Sequence, residues 1–173
     1  WCAQLFGGEI FNLLTPFFER NSNLRCLSIG GQGFRSPGNI SNRVKLLSGS
    51  LSSFNTLREF ECWTVELCDN DMEMIIRALA SHSSLTKVNL SENRVGGRSL
   101  VALAALLSNP LSSLANLSLW DCSLDDEGAT ILAAALGDNS TLTTIDLSRN
   151  REITATGWRA FSAVLQNPNS AVE

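Results

Sequence analysis

Apolar positions return along this chain in a fixed rhythm. Leu24, Leu57, Leu85, Leu114 and Leu142 each open a stretch in which apolar and polar residues alternate, and the offsets between them are 33, 28, 29 and 28 residues. Each stretch approaches the form L-x-x-L-x-L-x-x-N/C-x-L, in which a short strand carries the alternating leucines and Asn or Cys closes the turn behind it. Leu85, Val88, Leu90, Asn93 and Val95 follow it, as do Leu114, Leu117, Leu119, Cys122 and Leu124. Leu142, Ile145, Leu147, Asn150 and Ile153 carry one extra residue before the last apolar position. The earliest copies, Leu24, Leu27, Ile29 and Gln32 and then Leu57, Phe60, Cys62 and Val65, keep the apolar spacing and lose the Asn.

Behind each strand the period changes from two to that of a helix. Met72, Ile75, Ile76 and Leu79 recur at i, i+3, i+4 and i+7, the stripe of an amphipathic helix. Leu100, Leu103, Leu106 and Leu107 repeat it, followed by Ile131, Leu132, Ala135 and Leu136 and by Trp158, Phe161, Val164 and Leu165. Asp125, Asp126 and Glu127 mark a helix start, where negative charge complements the dipole. One strand and one helix cannot bury their own apolar faces, so such units must stack on one another. The pattern therefore predicts an α/β fold: a right-handed solenoid, bent like a horseshoe, with parallel strands on the concave face and helices on the convex face. Strands are expected near 25–29, 58–62, 86–90, 115–119 and 143–147. The first interval is irregular. Gly30, Gly31, Gly33, Pro37 and Gly38 predict a protruding loop over 30–42, with Val44, Leu46, Leu47 and Leu51 rebuilding the outer layer behind it.

These cassettes resemble the ribonuclease-inhibitor-like class of leucine-rich repeats, with units of about 28 residues and a full helix in each. The resemblance runs from a helix-like stretch at 9–20 to Val172, where a next cassette would open. Asn93, Cys122 and Asn150 match the turn position of the class; Gln32 and Val65 depart from it. Similar arrays occur in NOD-like receptors and in Ran GTPase-activating proteins, and the resemblance implies a module that works by binding other proteins. The expectation is one domain, 1–173, of about five strand-helix repeats, belonging to a longer array.

Composition narrows the partners. The 173 residues are 44% hydrophobic and 17% charged with a formal net charge of −4, so no basic field exists to hold nucleic acid. No apolar run approaches the roughly 18 to 20 residues of a membrane helix. Cys2, Cys26, Cys62, Cys68 and Cys122 follow the repeat rather than a metal-ligand spacing, and His82 has no second ligand near it in sequence. Neither a metal nor another cofactor is expected. Reduced thiols suit a cytoplasmic protein, against which stand the N-x-S/T sites at Asn39, Asn89, Asn116 and Asn139. The Gly30-Gly31-Gln32-Gly33 run lacks the lysine of a phosphate loop.

Stacking sets equivalent positions about 5 Å apart, so the outward residues form columns across the concave face. One column reads Cys26, Glu59, Lys87, Asn116, Thr144, and the next Ser28, Glu61, Asn89, Ser118, Asp146. A third reads Gly30, Trp63, Ser91, Trp120, Ser148, and a fourth Gly31, Thr64, Glu92, Asp121, Arg149. Glu59, Glu61, Trp63, Lys87, Asn89, Glu92, Asn116, Trp120, Asp121, Asp146 and Arg149 are the expected partner-binding residues. Two readings of the tryptophans stay open: anchors for a partner, or indoles laid over their own loops. The surrounding carboxylates favour a partner with a basic patch. No catalysis is expected. His82 falls on a polar helix end away from this wall, and Glu59 beside Glu61 on an open surface lacks the desolvation that acid catalysis needs. The alternative to a protein-binding module is a GTPase-activating one using Arg94, Arg149 or Arg151. A structural spacer is the third.

Overall fold

The computed structural model describes residues 2–6, 23–31, 40–52, 54–65, 67–168 and 170–172. Among these, strands β1 (Cys2–Phe6), β2 (Cys26–Gly30), β3 (Glu59–Trp63), β4 (Lys87–Asn89), β5 (Asn116–Ser118) and β6 (Thr144–Asp146) form a single parallel sheet in chain order. Helices α1 (Ile40–Leu51), α2 (Asp69–Leu79), α3 (Gly97–Leu107), α4 (Asp126–Leu136) and α5 (Ala155–Gln166) follow β2 to β6 in turn. Inward strand residues such as Leu27, Ile29, Phe60, Cys62, Val88 and Leu117 join Met72, Ile75, Leu103 and Leu132 of the helices in one buried core. Each such side chain contributes roughly 1.5–3 kcal/mol by leaving water. The fold is an α/β leucine-rich repeat solenoid.

Strand β1 is absent from the cassette pattern, yet it pairs in register with β2 from Cys2↔Cys26 to Phe6↔Gly30. Its inward slot holds Ala3 where the other strands place a larger apolar residue, so a leucine template passes over it. The helix stripes also need amendment. Leu46 is 52% exposed because it lies one position round α1 from the buried Leu47. Trp158 and Leu165 are 46% and 60% exposed, and both line a cleft of about 520 Å³ beside β6 that Ile145, Phe161 and Val172 complete. The helix-like stretch at 9–20, residues 32–39 of the expected loop and the Asn39 site lie outside the described residues; of that loop's span, 40–42 already belong to α1.

Polar side chains tie each unit to the one before it. The Asn93 amide nitrogen donates to the carbonyls of Cys62 at 2.7 Å and Leu90 at 3.0 Å, and its oxygen accepts from the Val65 amide at 3.2 Å. Asn150 donates to Leu119 and Leu147, both at 2.8 Å, and accepts from the amides of Cys122 at 2.9 Å and Leu124 at 3.0 Å. Cys122, in the same slot one unit earlier, offers only a thiol, 3.4 Å from the Leu90 carbonyl.

Helix starts are capped from next door. Asp69 of α2 accepts from the amides of Arg98 at 2.9 Å and Ser99 at 3.0 Å in the first turn of α3. Asp126 of α4 accepts from the amides of Thr154 at 2.7 Å and Gly157 at 2.9 Å and from the Thr154 hydroxyl at 2.6 Å. That hydroxyl, opposed slightly by burial and helped by the amides, holds the Asp126 carboxyl below its usual range. Asp125 caps its own helix through the Gly128 amide at 2.8 Å. A Cβ on Gly157 would sit 2.7 Å from the Asp126 carboxylate, so the capping site requires glycine there.

Helix ends carry a second seam, and His82 belongs to it. The amides of His82, Asn109, Asn139 and Asn167 each return to a helix carbonyl three residues back. The Asn139 side chain then reaches the Leu107 carbonyl at 2.6 Å, and Asn167 reaches Gly137 at 2.7 Å. His82 occupies the same place two units before Asn139, where its ring hydrogen-bonds the backbone of Leu51 and Phe54. It is only 8% exposed, so the polar helix end on which it falls is closed over its ring.

Candidate functional site

Sheet register fixes the open face. Glu59 pairs with Lys87, Lys87 with Asn116 and Asn116 with Thr144, while Glu61 pairs with Asn89, Asn89 with Ser118 and Ser118 with Asp146. Gly30 stands opposite Trp63. The columns therefore exist, but their members do not all point freely outward.

Glu61 is bound from both sides. Its carboxylate accepts from Lys87 Nζ at 2.7 Å and from the Ser28 hydroxyl at 3.1 Å. The Lys87 hydrogen bond, against partial burial and with help from Ser28, lowers the Glu61 carboxyl; the Glu61 carboxylate in turn raises the Lys87 ammonium. With side chains 25% and 45% exposed, such a pair contributes about 1 kcal/mol or less. Its larger effect is on charge, because Glu61 and Lys87 cancel. Glu59, Glu92, Asp121 and Asp146 then set the sign of the face, with Arg149 opposing them. Asn89 and Asp146 are turned back on their own strand ends, accepting from the amides of Ser91 at 3.0 Å and Ser148 at 2.9 Å. Asn116 is exposed.

The tryptophans lean onto different neighbours. A Cβ built on Gly30 would meet the Trp63 ring, with Cδ2 and Nε1 2.7 Å away, so this indole lies across the strand beside it. Trp120 faces the following unit, where the guanidinium carbon of Arg149 stands 4.7 Å from its ring centre, a cation–π distance. Between them Ser91 is buried, its hydroxyl 2.9 Å from that of Ser118. Both indoles are half-buried. Neither is simply a lid on its own loop.

The fourth column has a property that its residue types conceal. Thr64, Glu92, Asp121 and Arg149 all adopt left-handed backbone, with φ of 56°, 57°, 54° and 62°, and Gly31 does so at 103°. For a residue with a side chain this costs roughly 1–2 kcal/mol. Hydrogen bonds between units offset it: the amides of Thr64, Glu92 and Asp121 donate to the carbonyls of Ser91, Trp120 and Ser148 at 3.1, 2.9 and 3.0 Å. The turn leaves Glu92, Asp121 and Arg149 exposed. Glu92 and Asp121 share a cleft of about 390 Å³ with Leu67, Asn93, Arg94 and Ser123. Only Gly31 signals this geometry in the sequence.

Among the described residues, no three His, Cys, Asp or Glu side chains converge as a metal site would require. Among the described residues, no helix is long and apolar enough to cross a membrane.

A repeated strand-turn-helix unit with an asparagine seam and a polar, tryptophan-bearing sheet face defines a leucine-rich repeat array. A leucine-rich repeat family model matches residues 81–104 and 138–162. The chain is 31% identical over 153 residues to mouse NACHT, LRR and PYD domains-containing protein 5, covering 88% of this chain and 13% of that protein. It is 32% identical over 164 residues to pig ribonuclease inhibitor, covering 92% and 34%. Its repeats are of the ribonuclease-inhibitor-like leucine-rich type and resemble those of NOD-like receptors. Among solved structures, the tropomodulin C-terminal domain of Caenorhabditis elegans superposes with a TM-score of 0.67 at 16% identity, covering 91% of this chain and 92% of that one. Actin-binding site 2 of leiomodin-1 superposes with a TM-score of 0.60 at 17% identity, covering 90% of each. These two likenesses concern the fold.

Proposed function

We propose that this chain is a non-catalytic module that grips a protein partner through the open face of its sheet and the turns beyond the strand ends. The supporting observation is the placement of Trp63 and Trp120 in one column, two units apart and half-exposed, among Glu59, Glu92, Asp121 and Asp146. Rigid aromatic side chains at the centre of a polar field are the usual anchors of protein interfaces, and the carboxylates favour a partner with a basic patch. Asn89, Asn116 and Arg149 complete the face, while the Glu61–Lys87 pair fixes its floor. Pig ribonuclease inhibitor carries a binding role in its name, which agrees with this reading. A GTPase-activating role would need a free arginine to stabilise the transition state; Arg149 is stacked on Trp120, which leaves the exposed Arg94 and Arg151 as its candidates.

The module is read as one domain, 1–173, within a longer array. Val172 supports this: its amide meets the Ser170 hydroxyl at 3.3 Å as the Leu114 amide meets that of Ser112 at 3.3 Å, so the turn that opens a cassette is repeated there. A cytoplasmic location agrees with five unlinked cysteines and with the burial of Asn139, whose amide is committed to Leu107.

Affinity measured on proteins captured from cell extract tests the proposal. Trp120→Ala is expected to weaken a true ligand by roughly 30-fold, the equivalent of about 2 kcal/mol. Glu92→Lys with Asp121→Lys should reduce the association rate and its salt dependence. A ligand held equally by wild type and all three substitutions would exclude this face.

A further inference from the structure

Strand β1 brings a second cysteine to the edge of the open face. Cys2 is the register partner of Cys26 on β2, and adjacent strands run about 4.8 Å apart, inside the Cα separation of roughly 4.4–6.8 Å that a disulfide spans. Cys2 and Cys26 each precede a buried inward residue, Ala3 and Leu27, so both thiols share the outward side. They lie within hydrogen-bonding reach of one another. Both are free, Cys2 exposed and Cys26 half-buried.

We propose that Cys2 and Cys26 form a reversible thiol–disulfide pair, closed by low-molecular-weight disulfides and reopened by thiols. The pair stands apart from the other three cysteines. Cys62 and Cys122 are buried, and burial pushes both thiols up to about 12. Cys68 is exposed, but its sulfur faces the Asp71 carboxylate at 3.0 Å rather than another thiol.

Chemistry and mechanics agree on the order of events. Burial, the hydrogen bond to Cys2 and the charge of Glu59 push the Cys26 thiol up to about 11. The exposed Cys2 therefore attacks first, as thiolate. It bonds to one sulfur of the small disulfide and expels the other as a thiolate. Cys26 then loses its proton, attacks the Cys2 sulfur and expels the second small thiolate. Two protein thiols are oxidised and one disulfide is reduced to two thiols. In-register parallel strands hold their Cβ atoms wider than the roughly 3.8 Å of a relaxed disulfide, so closure must draw β1 towards β2. Strand β1 lies at the edge of the described sheet, and a bond closed under strain is readily reduced.

Oxidised glutathione is the probe, applied to the whole chain and read by intact mass and peptide mapping. The expected product has lost two hydrogens, carries no glutathione on these residues, links the Cys2 and Cys26 peptides and reverts with dithiothreitol. Cys26→Ser should instead retain one glutathione on Cys2. Wild type that accumulates glutathione at Cys2 or Cys26 without closing would overturn the proposal, as would a dominant linkage through Cys68.

Discussion

The Trp63 indole occupies the space above Gly30, its register partner on β2. Strand packing rather than turn geometry thus explains a glycine at the strand end. Gly30→Ala should displace the ring and cost about 1–3 kcal/mol, as overpacking does. In a Trp63→Ala background the same change should be neutral or stabilising by about 0.5 kcal/mol, because alanine narrows the unfolded ensemble. Urea unfolding of the four proteins in this cycle measures the coupling, and near-UV circular dichroism reports the displaced ring. Equal costs in both backgrounds would mean that the indole does not rest there.

Asn93 connects more buried backbone than any apolar residue in its cassette could. Removing its side chain leaves the Cys62 and Leu90 carbonyls and the Val65 amide short of their partner, and an orphaned buried group costs about 1–3 kcal/mol. Asn93→Ala is therefore expected to lose about 3 kcal/mol or more. Cys122→Ala, which gives up a weak sulfur donor and little volume, should lose about 1 kcal/mol. Comparable losses at the two positions would show that the seam is not carried by asparagine.

Periodicity in Leu85, Val88 and Leu90 or in Met72, Ile75 and Leu79 is strong because each side chain is selected by one requirement, burial on a fixed face. Strand placement, helix placement and column membership were therefore legible from residue spacing. What escaped depends on contacts between units. Nothing local to Glu92 or Asp121 announces left-handed backbone; it follows from a carbonyl offered by the next unit. The inward lean of Trp63 depends on a glycine 33 residues away, and the burial of His82 depends on helix ends at Leu51. Strand β1 was missed because Ala3 presents too little apolar surface to register against a leucine template.

Facing of the strands can be tested at neighbouring positions. Leu90 is fully buried, and Leu90→Ala should cost about 2–5 kcal/mol. A serine on the open face would ordinarily be replaceable without effect, but the Ser91 hydroxyl is buried against Ser118 at 2.9 Å. Ser91→Ala is therefore expected to cost about 1 kcal/mol, and Ser118→Ala a similar amount, with no further loss in the double variant. Chemical denaturation of the three variants decides. Additive losses would mean that the two hydroxyls do not bond to each other.

His82 makes the junction between the first two described helices sensitive to acid. Its ring is buried, it donates to backbone near the end of α1, and Nε2 has no partner. Protonation would place a charge on that unpartnered nitrogen, so burial lowers the imidazole from its usual value, partly opposed by the backbone hydrogen bonds to Leu51 and Phe54. A group lowered in the folded state binds its proton more readily once unfolded. Its contribution is complete above the unfolded value of about 6.5 and declines as pH falls through the folded one. Stability should accordingly drop between about pH 7 and pH 5. His82→Asn supplies the residue that Asn139 and Asn167 use at the same place, and it should flatten this part of the profile while keeping the fold at neutral pH. Urea midpoints measured across that range for both proteins give the answer. Identical slopes would remove His82 as the source and shift attention to the Asp69 and Asp126 caps, whose lowered carboxyls act at more acid pH.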